Sequence, residues 1–330
     1  MYRHPNYRRE IDVRPSVRSY ALNALLRLTL GKPLTDDDDV FALRGQYERL
    51  DRRQFKIVPP VERTPTEVGG VPAEWVVVPE TRFERVILYL HGGSFAFRFP
   101  NAHASLAARL CRRLQARALI PDYRLSPEHP FPAAPDDCQA VYRGLLAQGV
   151  TPSNIVLAGD SAGGNLALVT LHRALAAREP LPACAVLLSP AVDCTMGSPS
   201  MAAFDGQDPL IRLASLLVLR RLYVPWPHEY MNPEVSPLFG DFRGFPPLLF
   251  QVGSTELLRD EATRTADKAF AAGVDVECEV WPGALHVFQL AEFLPEARLA
   301  IDHIVHFVRA RAGWQDLGYI DPQNRSQSPL

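Results

Sequence analysis

The chain has 330 residues, 47% of them hydrophobic, with 35 basic and 37 acidic side chains and a formal net charge of −2. That is enough chain for one large α/β domain or two ordinary ones, with a sizeable buried core. So balanced a charge argues against a nucleic-acid binder and against a strongly anionic surface.

The first residues carry Arg3, Arg8, Arg9, Arg14 and Arg18 ahead of an apolar stretch over 20–30 that Asn23 and Arg27 interrupt. No small-x-small cleavage site follows, so a secretory signal is not expected. No run approaches 18 apolar residues, so neither a transmembrane helix nor a stable membrane anchor is expected. Ala21, Leu25, Leu26 and Leu28 suit an amphipathic helix. It is read as a lid packed on the protein rather than a membrane-surface helix, because its polar face is short and only moderately basic. Residues 1–55 as a whole read as helix and loop. The acidic run over 36–39 lacks calcium-loop spacing and reads as a solvated turn or helix start. Residues 57–80 alternate around Gly69-Gly70, which predicts an antiparallel hairpin at a sheet edge.

Strands and helices then alternate. Strands are predicted over 86–90, 117–121, 154–158, 183–188, 247–252 and 274–281, and helices over 102–114, 134–147, 162–177, 260–272 and 297–312. This pattern argues for an α/β fold with a mostly parallel sheet covered on both faces. The pattern lapses over 195–240, which is rich in Pro, Met and aromatic residues around one helical run over 209–223. That stretch reads as an insertion covering the site. Residues 313–330 read as a polar tail. Cys111, Cys138, Cys184, Cys194 and Cys278 contain no C-x-x-C pair. They read as buried free thiols in a reducing cytoplasm, and a cytoplasmic protein is expected.

The chemistry centres on Gly159-Asp160-Ser161-Ala162-Gly163. This Gly-x-Ser-x-Gly run lies between an apolar strand and a helix-forming stretch, the setting of a nucleophile elbow. A serine nucleophile also needs oxyanion donors, a base and an acid to orient the base. His91-Gly92-Gly93-Ser94 directly follows the 86–90 strand, and its bare backbone points to Gly92 and Gly93 as N–H donors, with Ala162 as a third. Among nine histidines, His91 belongs to that loop and shapes it, His129 sits in a proline-rich loop, and His303 and His306 are helix residues. His286 follows the 274–281 strand in a loop and comes after the serine, as the order Ser, acid, His requires. The acid should follow the 247–252 strand. Asp260 and Glu261 suit the first turn of the next helix, where the dipole favours a carboxylate. That leaves Glu256 as the orienting acid, with Asp260 as the alternative.

Four blocks together resemble the hormone-sensitive-lipase-like branch of the α/β-hydrolases, the bacterial carboxylesterases and arylacetamide-deacetylase-like enzymes. They are His91-Gly92-Gly93-Ser94-Phe95, the run from Asp122 to Ala133, Gly159 to Asn165, and Trp281 to Phe288. The resemblance implies a serine carboxylesterase that hydrolyses small-molecule esters with short-to-medium acyl or aryl groups through an acyl-enzyme, without metal or cofactor. It places the acid at the first position of Glu256 to Glu261, where relatives usually carry Asp. It also implies a cap built from residues 1–55 and 195–240 around a catalytic domain of 56–194 and 241–312. A homodimer through the 274–281 strand is a further implication. Arg98-Phe99 replaces a small pair of residues common in the family, which would narrow the pocket if those side chains point inward. An amidase, deacetylase or lactonase would use the same triad. A non-catalytic ligand receptor on this fold would lack a working base, and His286 argues against it.

Overall fold

The computed structural model describes residues 7–29, 33–36, 38–57 and 59–315. In chain order these form β1 (Arg8–Glu10), α1 (Val17–Thr29), α2 (Val40–Gln54), β2 (Glu62–Val68), β3 (Val71–Val77), β4 (Val86–Leu90), α3 (Pro100–Leu114), β5 (Arg117–Pro121) and α4 (Ala133–Ala147). There follow β6 (Ile155–Asp160), α5 (Ala162–Ala176), β7 (Cys184–Leu188), α6 (Pro199–Ala203), α7 (Leu213–Tyr223), β8 (Leu248–Gly253), α8 (Arg259–Ala271), β9 (Val276–Trp281) and α9 (Pro295–Ala312).

The strands make one sheet in the order β1-β9-β8-β7-β6-β4-β5-β3-β2. Every pairing from β1 through β5 is parallel, while β3 and β2 close the far edge as the antiparallel hairpin expected around Gly69-Gly70. The fold is that of an α/β-hydrolase.

Strand periodicity sorts the core into two layers. Val86, Leu88 and Leu90 of β4 and Ile155 and Leu157 of β6 meet α4, α5 and α8 on one face. Ile87 and Tyr89, with Val156 and Ala158, meet α3 and α9 on the other. Strands covered on both sides need unbroken apolar runs, and β4, β6, β7 and β8 are buried at every position. The five cysteines are buried and free. No helix among the described residues is long and apolar enough to cross a membrane.

Two elements depart from expectation. Residues 8–10 form a strand, β1, where helix and loop were expected. Its Arg-Arg-Glu sequence buries nothing, and it is fixed by backbone pairing along β9 and by Arg9 reaching Glu279 at 2.7 Å. Helix α7 begins at Leu213 rather than 209, because the Asp208 carboxylate accepts the N–H groups of Leu210 and Ile211 and holds them in a turn. In the acidic run, Asp39 caps α2 by accepting from Phe41 N and Ala42 N, and Asp38 accepts from Thr35; Asp37 lies outside the described residues. The polar tail is described only as far as Gln315.

Candidate active site

Strand β6 ends at Asp160 and α5 begins at Ala162, so the whole reversal falls on Ser161. Its backbone stands at φ 51°, ψ −119°, a conformation costly for any side-chain-bearing residue, by roughly 1–3 kcal/mol. The turn closes because its neighbours lack Cβ atoms. A Cβ at Gly159 would run into the Gly163 carbonyl, and one at Gly163 into the carbonyl oxygen of Leu90.

Behind Ser161, the Asp160 side chain is fully buried. One oxygen accepts from the Tyr89 hydroxyl at 2.8 Å and from the Gly92 N–H at 3.0 Å, and the other lies 3.4 Å from His103 Nε2. Burial alone would raise the carboxyl's pKa. His103 and the Tyr89 hydrogen bond outweigh it and hold the group below its ordinary value.

This corrects one sequence expectation. The Gly92 N–H points into the fold at Asp160 and is not free to bind an oxyanion. The N–H groups of Gly93, Ser94 and Ala162 have no hydrogen-bond partner among the described residues. Gly93 and Ser94 both adopt positive φ, and Ser94 lines the same cavity as Ser161. His91 shapes this loop as expected. Its Nδ1–H donates to Gly92 O at 2.8 Å, its ring stacks on Tyr123 at 4.2 Å, and burial pulls its pKa down to about 3.

His286 Nδ1 lies 2.8 Å from Glu256 Oε2. The other carboxylate oxygen of Glu256 accepts from Ser189 Oγ at 2.8 Å and from Gly253 N. Ser189 Oγ in turn accepts from Val287 N at 3.2 Å, so one hydroxyl ties the acid loop to the histidine loop. Burial by itself would lower the pKa of His286, but the hydrogen bond and charge of Glu256 raise it above the ordinary 6.5. Burial raises Glu256, and His286 offsets part of that rise. Asp260 is elsewhere: its carboxylate takes Arg259 Nε at 2.8 Å, and its N–H bonds Ser200 Oγ at 3.0 Å. Ser161 and His286 are not hydrogen-bonded to each other in this structure, which is common in ligand-free hydrolases.

A cavity of about 40 Å³ opens beside Ser161 and Ala162. Its walls include Phe95, Cys194, Met196, Leu216, Leu219 and Tyr223, so the 195–240 insertion supplies much of its lining through α7. Arg98 and Phe99 do not line it. Arg98 pairs with Asp122, and Phe99 packs on Tyr47 and His103. Among the described residues no cluster of three His, Cys, Asp or Glu side chains is arranged to hold a metal.

A family model described as the alpha/beta hydrolase fold matches residues 87–290. An esterase of the bacterial hormone-sensitive lipase family superposes with a TM-score of 0.85 at 36% identity, covering 91% of this chain and 100% of that one. The chain belongs to the hormone-sensitive-lipase-like family of α/β-hydrolases. It is 40% identical over 281 residues to an acetyl-hydrolase of Streptomyces hygroscopicus, covering 84% of this chain and 93% of the relative. It is 35% identical over 289 residues to an esterase of Acinetobacter venetianus, covering 87% and 95%. With these relatives, this α/β-hydrolase is a serine carboxylic ester hydrolase.

Three residues of the site escaped the sequence reading. Asp160 stood inside the elbow motif as its variable position. Ser189 directly follows the β7 run, and only its φ of 45° and its bond to Glu256 mark it out. Glu261 stands in the first turn of α8 as expected, but it is also buried beside the cavity, accepting from Val192 N and Asp193 N, and burial and Asp193 keep its pKa well above the ordinary range.

Proposed function

We propose that this hydrolase cleaves esters of short acyl groups through an acyl-enzyme formed on Ser161. His286 takes the serine proton as Ser161 attacks the ester carbonyl. Glu256 holds the imidazole by Nδ1 and stabilises the imidazolium that forms. The oxyanion is met by the free N–H groups of Gly93, Ser94 and Ala162, with Gly92 left out. His286 then returns its proton to the leaving alcohol. Water, activated by the same histidine, releases the acid from Ser161.

The observation that carries this reading is the Glu256–His286 bond at 2.8 Å, in the loops that follow β8 and β9 beside the elbow. The cavity favours the short end of the acyl range. Its volume of about 40 Å³ leaves room for a few water-sized groups, which suits acyl chains of about two to four carbons. The name of the Streptomyces relative, an acetyl-hydrolase, is in keeping with that size. The 195–240 insertion acts as the cap that closes this space, while none of the described residues of 1–55 lines it.

The test is Ser161→Ala and His286→Ala assayed on p-nitrophenyl acetate and butyrate. Each should lose about 10⁶ in kcat. Covalent labelling by a fluorophosphonate should vanish with Ser161→Ala. Full activity or retained labelling in that variant would overturn the mechanism.

A further inference from the structure

Helix α1 has two apolar faces, and only one of them is used. Leu22 and Leu26 pack on the cluster formed by Trp281, Leu285 and Phe288. Asn23 Nδ2 donates to Gly283 O at 3.0 Å, and Ser16, just before the helix, is bonded to buried Glu296. The helix is therefore folded and pinned over the loop that carries His286.

Its outer face carries Val17, Tyr20, Ala21, Ala24, Leu25 and Leu28, all exposed. The spacing of three and four is that of one continuous stripe along a helix. Exposure reaches 83% at Val17, 62% at Tyr20, 56% at Leu25 and 86% at Leu28, so no other part of the described chain covers it. Phe293, 49% exposed, adjoins the stripe through the bond from Arg18 to its carbonyl.

Charge decides between occupants. The helix contains Arg18 and Arg27 and no acidic residue, and exposed Arg14 precedes it. Arg18 and Arg27 bond the neutral carbonyls of Phe293 and Gln207, so neither charge is cancelled by a carboxylate. Exposed acids on adjoining segments are Asp12, Glu292 and Asp205, the last of these two residues before Gln207. A second copy seated on the stripe would crowd like charges along one seam. An anionic lipid surface instead receives the apolar side chains and neutralises the arginines together.

We propose that the outer stripe of α1 docks this protein on anionic lipid surfaces, with the active-site loop held directly beneath the docked helix. The helix packs on the protein, as expected of a lid helix, and its outer face stays open to solvent. No ordering of the helix is needed on binding, because its inner face is already fixed.

The test is co-sedimentation of the full chain with vesicles of phosphatidylglycerol or of phosphatidylcholine alone. Binding to the anionic vesicles should be about tenfold tighter or more, and should weaken at about 0.5 M salt. Two separate variants, Leu25→Glu/Leu28→Glu and Arg18→Gln/Arg27→Gln, should each lose it. Both should keep wild-type hydrolysis of soluble p-nitrophenyl acetate without vesicles. Ser161→Ala should bind like the wild type, so a failure of the catalytic reading leaves this readout intact. Equal binding to both lipids, no binding, or retained binding by the leucine variant would overturn the proposal. So would a wild-type dimer that the leucine variant converts to monomer, which would make the stripe a self-association face.

Discussion

Asp160 is one residue from Ser161 and holds the Gly92 N–H, so a single buried carboxylate fastens the oxyanion loop to the nucleophile turn. Under the proposed mechanism it acts as a positioning residue. Asp160→Asn should lower kcat by about tenfold or more with KM nearly unchanged. Affinity for a trifluoromethyl ketone should fall in proportion to kcat/KM, a parallel that simple loss of stability would not produce. The acid is separable in the same way. Glu256→Gln should cost on the order of 10⁴ in kcat, while Asp260→Asn, whose side chain faces Arg259, should stay close to wild type. The base works only when neutral, and Glu256 raises the pKa of His286. Activity should therefore fall as pH drops through a value above 6.5, and in Glu256→Gln that limb should move to lower pH; a pH profile of kcat/KM checks both. The pairing of Glu256 with His286 could be anticipated from chain order, because each follows a strand in the order that the proposed mechanism requires. Gly92 could not be judged that way. A glycine motif fixes where the loop runs, while the direction of each N–H depends on a partner 68 residues away.

Helices and strands of the core were readable for a related reason. A strand such as Val-Ile-Leu-Tyr-Leu, buried at all five positions, has few other conformations that hide it. The segments that escaped are those held by polar contacts: α7 is shortened by Asp208, and β1 is kept by backbone pairing. No periodicity records such constraints. Helix α7 has a second role, since Leu216, Leu219 and Tyr223 form one wall of the cavity. If that wall sets acyl length, Leu219→Ala should enlarge the space by removing a branched side chain and raise kcat/KM for hexanoate relative to acetate by about tenfold. The same change opens a contact with Phe97 and Val40, so the stability cost should be about 2 kcal/mol by urea titration. An unchanged acyl profile alongside the stability loss would place the acyl chain elsewhere.

The assembled sheet has one edge at β2 and the other at β1, and β1 occupies the side of β9 that the expected homodimer contact needs. The occupation is specific. Cys278 N donates to Tyr7 O at 2.6 Å, and Ile11 N to Val280 O at 2.9 Å. Tyr7 stacks on Phe270 at 3.9 Å, and Arg9 joins His303 and Gln251 around the buried Glu279. A partner strand would have to displace all of these, so the intact chain should not pair through β9. Removing residues 1–10 keeps buried Ile11 but strips the edge and takes one cation from Glu279. The shortened chain should melt lower by about 5 °C, since several hydrogen bonds and one aromatic stack are lost. Its bare β9 should then pair with a second copy as concentration rises, because an unprotected strand edge is a template for pairing. Light scattering on both chains, with hydrogen exchange at Cys278 as the local probe, separates the cases. A dimer of the intact chain with Cys278 protected by its partner would show that β1 yields that edge.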